Sequence, residues 1–543
     1  MKKKSVLLVS IMAAALVVLF VFSACSKKEQ AASSPSASSG DYSKHLTLST
    51  TVIDAEKTGK SAKDKWLFDK FNIDYNFVAV TWGDWNEKTR AMIAGDDLPD
   101  VLWWDMKLNN TAEFKVWAEQ GAFREIRQAD IDKRPNLKAL QSRLRSDDEM
   151  LTVNGKLYGW PVARALEPYM RSTQYMHYIY RRDWAKAVGM YHENDTYTWE
   201  EALALIEAVR RLDPGKNGAN NTFGITNEGW AFPGLYMQLL AYSIDRGDGY
   251  MDRRTYVEND TGYIPYFTTE NYRKELKFVA KLYRDNYIWR DQMMARGNEG
   301  IDMFRSGRSF MYCHNGGPNF LNNNIYPQMT TNGVLTDVQD VGPMLILSPV
   351  DNKTYMLIEV EDYWSVAHFR HDLDDDKYER VLDLWDWIAT DDGRAWKEAG
   401  VPDVDYRRTG PADIERLWPK AEDGRWISPY SDFAYRYADP PTLSLFYQSQ
   451  VDQAGFISYK HAIDLVQNGG QYFKIQAFDW DRAKFSTPLY NQFGGFQTQG
   501  EEFERQVLAS SEDVDVMLDR WLKEMEPRWK PVADELTKTY FKK

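Results

Sequence analysis

Two short apolar runs with an amphipathic helix between them constrain this chain more than any other stretch. Lys65-Trp-Leu-Phe-Asp-Lys-Phe71 reads as the end of a helix and Asn76-Phe-Val-Ala-Val80 as a buried strand. Thr81-Trp82-Gly83 is a loop leading to Asp84, a good N-cap with Glu87 three residues on, and the helix begun at Trp85 closes at Gly95. Val101-Leu-Trp-Trp104 is then the next strand. Strands joined through a helix at this spacing lie parallel, because a tight turn cannot connect them. The expected fold class is therefore α/β, with an open parallel sheet that binds ligand beyond the carboxyl ends of its strands. Trp82 follows one such end, and Trp103 and Trp104 form another.

The same alternation continues down the chain. Residues 154–163 read as a small hairpin, and 175–190 as a strand breaking into a helix. Thr198 caps a further helix, with Glu201 three residues later and Ala202, Leu205, Ile206 and Val209 as its buried stripe. Residues 221–243 carry a strand, a turn holding Trp230 and Phe232, and a helix. Residues 301–323 read as helix, turn, apolar strand and a Gly-Gly-Pro turn, 361–369 as a strand, and 377–400 as a helix pair. The last 30 residues are helical, with a break expected at Pro527 and Pro531. No repeat of solenoid period is visible.

The amino terminus sets the compartment. Three lysines precede an uncharged apolar run from Val6 to Phe22, and Phe22-Ser23-Ala24-Cys25 resembles the lipobox of bacterial lipoproteins, which are cut before a cysteine whose sulfur is lipidated. This implies residues 1–24 as signal peptide, a lipid on Cys25, and an exported protein anchored to the outer face of the cell membrane. An uncleaved membrane helix is the competing reading. The polar, small-residue stretch after Cys25, to about residue 45, reads as a flexible tether. Cys313, the only other cysteine, reads as a buried apolar residue. A net charge of −13 argues against nucleic acid as a partner. Twenty tryptophans and 32 tyrosines exceed what core building usually recruits, as expected of a protein that holds an amphipathic ligand, although more than half of the tryptophans should be structural.

Five landmarks in order (residues 94–105, 154–161, 180–205, 303–312 and 382–406) resemble the family 1 extracellular solute-binding proteins, and more narrowly the long Gram-positive lipoproteins that deliver saccharides to ABC importers. The resemblance implies a two-lobed, periplasmic-binding-protein-like (type II) fold with a hinge between discontinuous lobes. The first lobe is placed at 46–165 and 335–405 and the second at 166–334 and 406–543. It also implies a monomer that encloses a saccharide and passes it to ABC permease subunits. A sugar ring has an apolar face and a rim of hydroxyls, so its site calls for flat rings and fixed polar groups. Asp100 and Trp104 match the family's acid and terminal aromatic, and Trp230 and Phe232 its second-lobe aromatic loop. Trp82, Glu361 and Trp364, with Asp362, complete the candidate ligand-binding set. Asp100 could instead cap the turn at Pro99, and Trp103 must point away from Trp104. Arg181 and Arg182 read as surface ion pairs.

Residues 213–225 resemble a loop that binds calcium in some relatives, with Asp213, Asn217 and Asn221 at positions one, five and nine and Gly218 at the turn. Gly215 stands where a ligating acid belongs, so the favoured reading is a loop without metal, and no cofactor is expected. A secreted glycoside hydrolase is the main rival class; it would need two carboxyl groups roughly 5 to 9.5 Å apart, for which Asp479 and Asp481 are candidates. A peptide- or lipid-binding lipoprotein of the same fold is the third class. No nucleophile, zinc or nucleotide motif is present. His368 and His371 read as solvated loop histidines. No catalytic residue is assigned.

Overall fold

The computed structural model describes residues 41–53, 61–81, 84–105, 108–143, 151–163, 176–229, 232–233, 256–295, 297–315, 317–349, 363–410, 413–419, 429–430, 454–467, 485 and 487–542. The chain runs through β1 (Leu46–Val52), a helix at Ala62–Phe71, β2 (Ile73–Ala79), a helix at Trp85–Ala94 and β3 (Val101–Asp105). Strands β2 and β3 both lie parallel to β1, one on each side, as the spacing predicts. Strand β2 is an edge strand with four of its seven residues exposed, not a buried one. A hairpin of β4 (Thr152–Val153) and β5 (Lys156–Leu157) precedes β6 (Trp160–Ala163). Then come β7 (Met176–Arg181), β8 (Thr196–Thr198), β9 (Phe223–Asn227), a hairpin of β10 (Tyr256–Asn259) and β11 (Gly262–Pro265), β12 (Ser309–Asn315), β13 (Val341–Leu347), β14 (Tyr363–Phe369), and a hairpin of β15 (Tyr406–Gly410) and β16 (Asp413–Arg416).

Two five-stranded sheets result, ordered β2-β1-β3-β14-β6 and β8-β13-β7-β12-β9. In the first, β14 runs against the other four; in the second, β7 does. Each contrary strand is the one that follows a passage from the other sheet. The architecture is two α/β lobes with interleaved chain.

The lobe borders shift from those expected. Strand β13 lies inside the second sheet, so the return to the first comes after Leu347, not at 335. Pro343 obscures this strand in the sequence; β8 joins β13 only from Leu345 onward, so no strand flanks the proline on that side. The hairpin β15–β16 packs Tyr406 and Ile414 on Ala395 and Ala399 of the helix Asp391–Ala399, and Tyr430 bonds Asp405. The first lobe therefore extends past 405. Helix Ala454–Gln467 packs Phe456, Tyr459 and Ala462 against Ile179, Tyr312 and Val341 of the second sheet.

Local rules hold where the pattern is strongest. Thr198 accepts from the Glu201 amide while Glu201 bonds back, and Ala202, Leu205, Ile206 and Val209 are buried. Asp84 stands at the N-cap position but makes no capping bond; its carboxylate turns to the Thr81 amide and to Lys88, which holds it down at about 2. The carboxyl-terminal helix Val514–Tyr540 runs through Pro527 and Pro531 without the expected break. Spaced four apart, the two prolines put their missing donors on one side, while Leu518, Met525, Val532, Ala533 and Leu536 bury the other in the second-lobe core.

Candidate functional site

Because four strands of each sheet share a direction, each sheet gathers their carboxyl ends along one edge. In the first sheet these are Val52, Ala79, Asp105 and Ala163, with the start of β14 beside them; in the second they are Thr198, Asn227, Asn315 and Leu347, with the start of β7. Trp82, Trp230, Glu361 and Asp362 fall in segments that leave these edges and lie outside the described residues, as do Asp479, Asp481 and Cys25. Trp364 is placed by its backbone. Between Tyr363 and Ser365 strand β14 gains a residue on β6, so Trp364 occupies a β-bulge on the edge itself. Bulges of this kind redirect a side chain and are frequent beside functional sites.

Three expected site residues are corrected by their surroundings. Asp100 precedes β3 and so sits at the amino end of the strand, about 16 Å of extended chain from Asp105. Its carboxylate accepts from the Ser49 amide at 2.8 Å and from Lys377 Nζ at 2.9 Å, which joins β1 to the helix Asp375–Ile388. Trp104 is fully buried among Leu102, Phe114, Phe123 and Val366, and its Nε1 donates to Asn86 Oδ1 at 3.0 Å. Trp103 faces the other way, as the strand requires, yet is buried too, against Trp85, with Nε1 donating to Ser365 at 2.6 Å. Alternation thus puts the two rings on opposite faces of β3, and both faces are packed there. Phe232 is a core residue of the second lobe beside Tyr283, and its carbonyl accepts from Arg505 at 2.7 Å.

His368 is likewise no solvated loop residue. It lies wholly buried against both Phe114 and Phe123, and burial pushes its pKa down to about 4. His371 is half exposed near Asp96. Arg181 and Arg182 are both buried and not on the surface as expected: Arg181 pairs with Asp183, and Arg182 makes a two-pronged bond with Asp195, at 2.8 and 2.5 Å, and also holds Ser458. Cys313 is buried and free.

The second edge holds polar groups that the sequence reading passed over. Asn227 ends β9 fully buried, with neither Oδ1 nor Nδ2 bonded. Glu228 follows and bonds the hydroxyl of Tyr312, which burial pushes well above its ordinary range. His177, at the start of β7, bonds the hydroxyl of Tyr459. The signal was present: Thr-Asn-Glu-Gly-Trp places a polar string directly after the apolar part of a strand. Gln292 fixes that strand end, accepting from the Asn227 amide at 2.8 Å and donating to its carbonyl at 3.0 Å. These groups offer a carboxylate, an amide and phenol hydroxyls, a set suited to hydrogen bonding rather than to nucleophilic attack.

The loop at Asp213, Asn217 and Asn221 is closed by hydrogen bonds of its own. Asp213 accepts three bonds from its own loop, and the Asn217 amide nitrogen points inward, donating to Thr222 and to the Gly307 carbonyl.

Residues 66–398 match the family described as bacterial extracellular solute-binding protein. Among curated proteins, the chain is 28% identical over 220 residues to Lipoprotein LipO of Bacillus subtilis (strain 168), covering 39% of each. It is 22% identical over 256 residues to the polygalacturonan/rhamnogalacturonan-binding protein YtcQ of the same organism, covering 47% of each. The matched stretches thus span less than half the length of these relatives. Among solved structures it is similar to the alginate-binding protein AlgQ2 without calcium ion, with a TM-score of 0.66 at 16% identity over 91% of this chain and 97% of that one. It is also similar to the S. pneumoniae ABC-transporter substrate-binding protein FusA in complex with kestose, with a TM-score of 0.64 at 15% identity over 91% and 98%. At such identities the likeness is one of fold.

Proposed function

The chain belongs to the bacterial extracellular solute-binding proteins, and from that premise we propose that it captures an oligosaccharide between its two lobes and delivers it to an ABC permease. The observation that carries this reading is that each of the two sheets gathers the carboxyl ends of four strands along one edge. Segments bearing Trp82, Glu361 and Trp364 leave or line the edge of one sheet, and Trp230 follows Glu228 on the other. Rings from both sides suit the apolar faces of sugars, and the amide, carboxylate and hydroxyl groups suit their rims. The ligands of three similar proteins, polygalacturonan or rhamnogalacturonan, alginate and kestose, are all carbohydrates.

Capture follows from differential contact. Open and closed arrangements coexist, and a sugar touching both lobes at once favours the closed one by the free energy of the added contacts. A micromolar affinity, about −8 kcal/mol, must include the cost of closing. Transport energy would come from a separate ATPase, since the chain carries no nucleotide-binding motif. A lipid on Cys25 would hold the protein at the outer face of the membrane, and a Cys25→Ser variant should then appear in the medium.

A thermal-shift panel of neutral and acidic oligosaccharides, followed by calorimetry, tests the proposal. Binding without new reducing ends supports capture; release of reducing ends would mean hydrolysis, and no binding by any sugar would remove the proposal. Within the site, Trp364→Ala or Trp230→Ala should weaken affinity about tenfold, or about 1.4 kcal/mol, in a protein that melts as before. Unchanged affinity in both would remove the site assignment.

A further inference from the structure

The loop from Asp213 to Thr222 keeps the spacing of a calcium loop but fills it with its own donors. We infer that it is a metal-free clasp, and that the fold of the second lobe does not depend on calcium. Asp213 closes the helix Trp199–Leu212 in a left-handed conformation, with φ of 45°. Its Oδ1 accepts from the Asn217 amide at 3.1 Å and the Thr222 hydroxyl at 2.8 Å, and its Oδ2 from the Gly218 amide at 2.8 Å. A carboxylate offers about four acceptor positions, so little remains for an ion.

Asn217 completes the substitution. Its Nδ2 donates to Thr222 Oγ1 at 3.0 Å and to the Gly307 carbonyl at 2.9 Å. A carbonyl can only accept, so Gly307 fixes the amide with its nitrogen inward, whereas calcium requires oxygen there. Asn221 turns its own nitrogen onto the Asn217 carbonyl at 3.1 Å. Gly215, which stands where an acid would be needed, is walled off: a Cβ there would lie 2.5 Å from the ring of Trp184. Asp213 and Lys216 are the only charges between 213 and 222, so the loop is formally neutral, and calcium affinity rises with the number of charged ligands. The clasp does mechanical work instead. It ties the end of one helix to the start of β9 and to the Gly307 turn before β12, the two neighbouring strands that lead to Asn227 and Asn315.

The test uses the full chain purified in detergent. Its melting temperature should agree within about 0.5 °C between about 1 mM calcium and excess EGTA, because an ion that does not bind the native state cannot stabilise it. Thr222→Val removes the hydroxyl that bridges Asp213 and Asn217; it should lower the melting temperature by several degrees, equally in both buffers, and Thr222→Ser should restore it. Stabilisation of the unaltered chain by calcium, calcium rescue of Thr222→Val, or no loss in that variant would each overturn the inference. Saccharide titration in the two buffers separates the claims: absence of binding in both counts against the proposed function and leaves the clasp standing.

Discussion

The two sheets have the same number of strands and one contrary strand each, but their interiors are held differently. The first lobe is filled with rings: Trp103 and Trp104 on opposite faces of β3, Trp385 stacked on Phe369 with ring centroids 5.1 Å apart, and His368 clustered with Phe114 and Phe123. The second lobe has aromatic residues as well, and each lobe holds a buried ion pair, but in the first lobe the pair joins helices, with Arg134 Nε donating to Asp383 at 2.9 Å, whereas in the second it ties the end of β7 to the start of β8. Arg182 and Asp195 grip each other, Tyr180 donates to Asp195 at 2.6 Å, and Arg182 reaches Ser458 on the helix Ala454–Gln467. Rings stabilise by area and shape and tolerate a change of charge nearby. A buried pair orders its surroundings but leaves a large penalty when one partner is lost. Loss of the second-lobe pair should therefore disturb a sheet directly, whereas the first sheet depends on its rings.

The largest effect is expected at Asp195. It is buried in a left-handed turn that asparagine also adopts, so Asp195→Asn changes the charge with little change of backbone. The Arg182 guanidinium would then be buried without its counter-ion, a loss of about 3–5 kcal/mol in chemical denaturation. Adding Arg182→Met to the variant should recover most of it, because the unpaired charge is gone. A single variant as stable as the parent would mean that the pair contributes nothing and the contrast between the lobes is false.

Acid should find the first lobe. His368 donates from Nδ1 to the Tyr158 carbonyl at 2.9 Å, and its Nε2 has no partner in the core. Its folded pKa is about 4 against an ordinary 6.5. As pH falls below about 6.5 the unfolded chain takes up the proton first, so stability that is complete above that value declines toward pH 4 and then stops declining on this account. The whole effect is at most about 3 kcal/mol. Melts from pH 8 to pH 4 should show this limb in the parent chain and lose it in His368→Phe. An identical acid limb in the variant would place the sensitivity elsewhere.

Much of the frame was legible because it depends on short-range periodicity. The βαβ order around Trp85, the strand entering the helix at Arg182, and the stripe and cap of the helix at Thr198 follow from spacing and capping alone. What sequence could not supply was burial that depends on distant partners. Trp104 at a strand end has the same local pattern whether it faces ligand or core; the helix bearing Phe114 and the strand bearing Val366 decide it. Asp100 gave no sign of Lys377, 277 positions away. Pro527 and Pro531 suggest a break because local rules disfavour them, whereas the packed face of a 27-residue helix offsets two missing bonds. At the candidate site, residue types alone did not separate the core residues Asp100, Trp104 and Phe232 from residues of the strand ends, because that depends on packing partners far away in sequence.

The smallest effect tests where the difference between the lobes ends. Each lobe opens a helix with the same device: Ser61 with Asp64 in the first, Thr198 with Glu201 in the second, both with reciprocal side-chain and backbone bonds. The hydroxyls accept at the same distance, 3.2 Å, and both caps lie near solvent. A cap of this kind is worth about 1 kcal/mol, through one amide that would otherwise lack a partner. Ser61→Ala and Thr198→Ala should therefore cost about 1 kcal/mol each and, being in separate lobes, should add in the double variant to within about 0.5 kcal/mol. Equal costs would confine the contrast to the cores, where ring packing and buried charge differ. A clearly larger cost for Thr198→Ala would mean that the ion pair couples its lobe so tightly that even a peripheral loss spreads, and the comparison would then be one of cooperativity rather than of core chemistry.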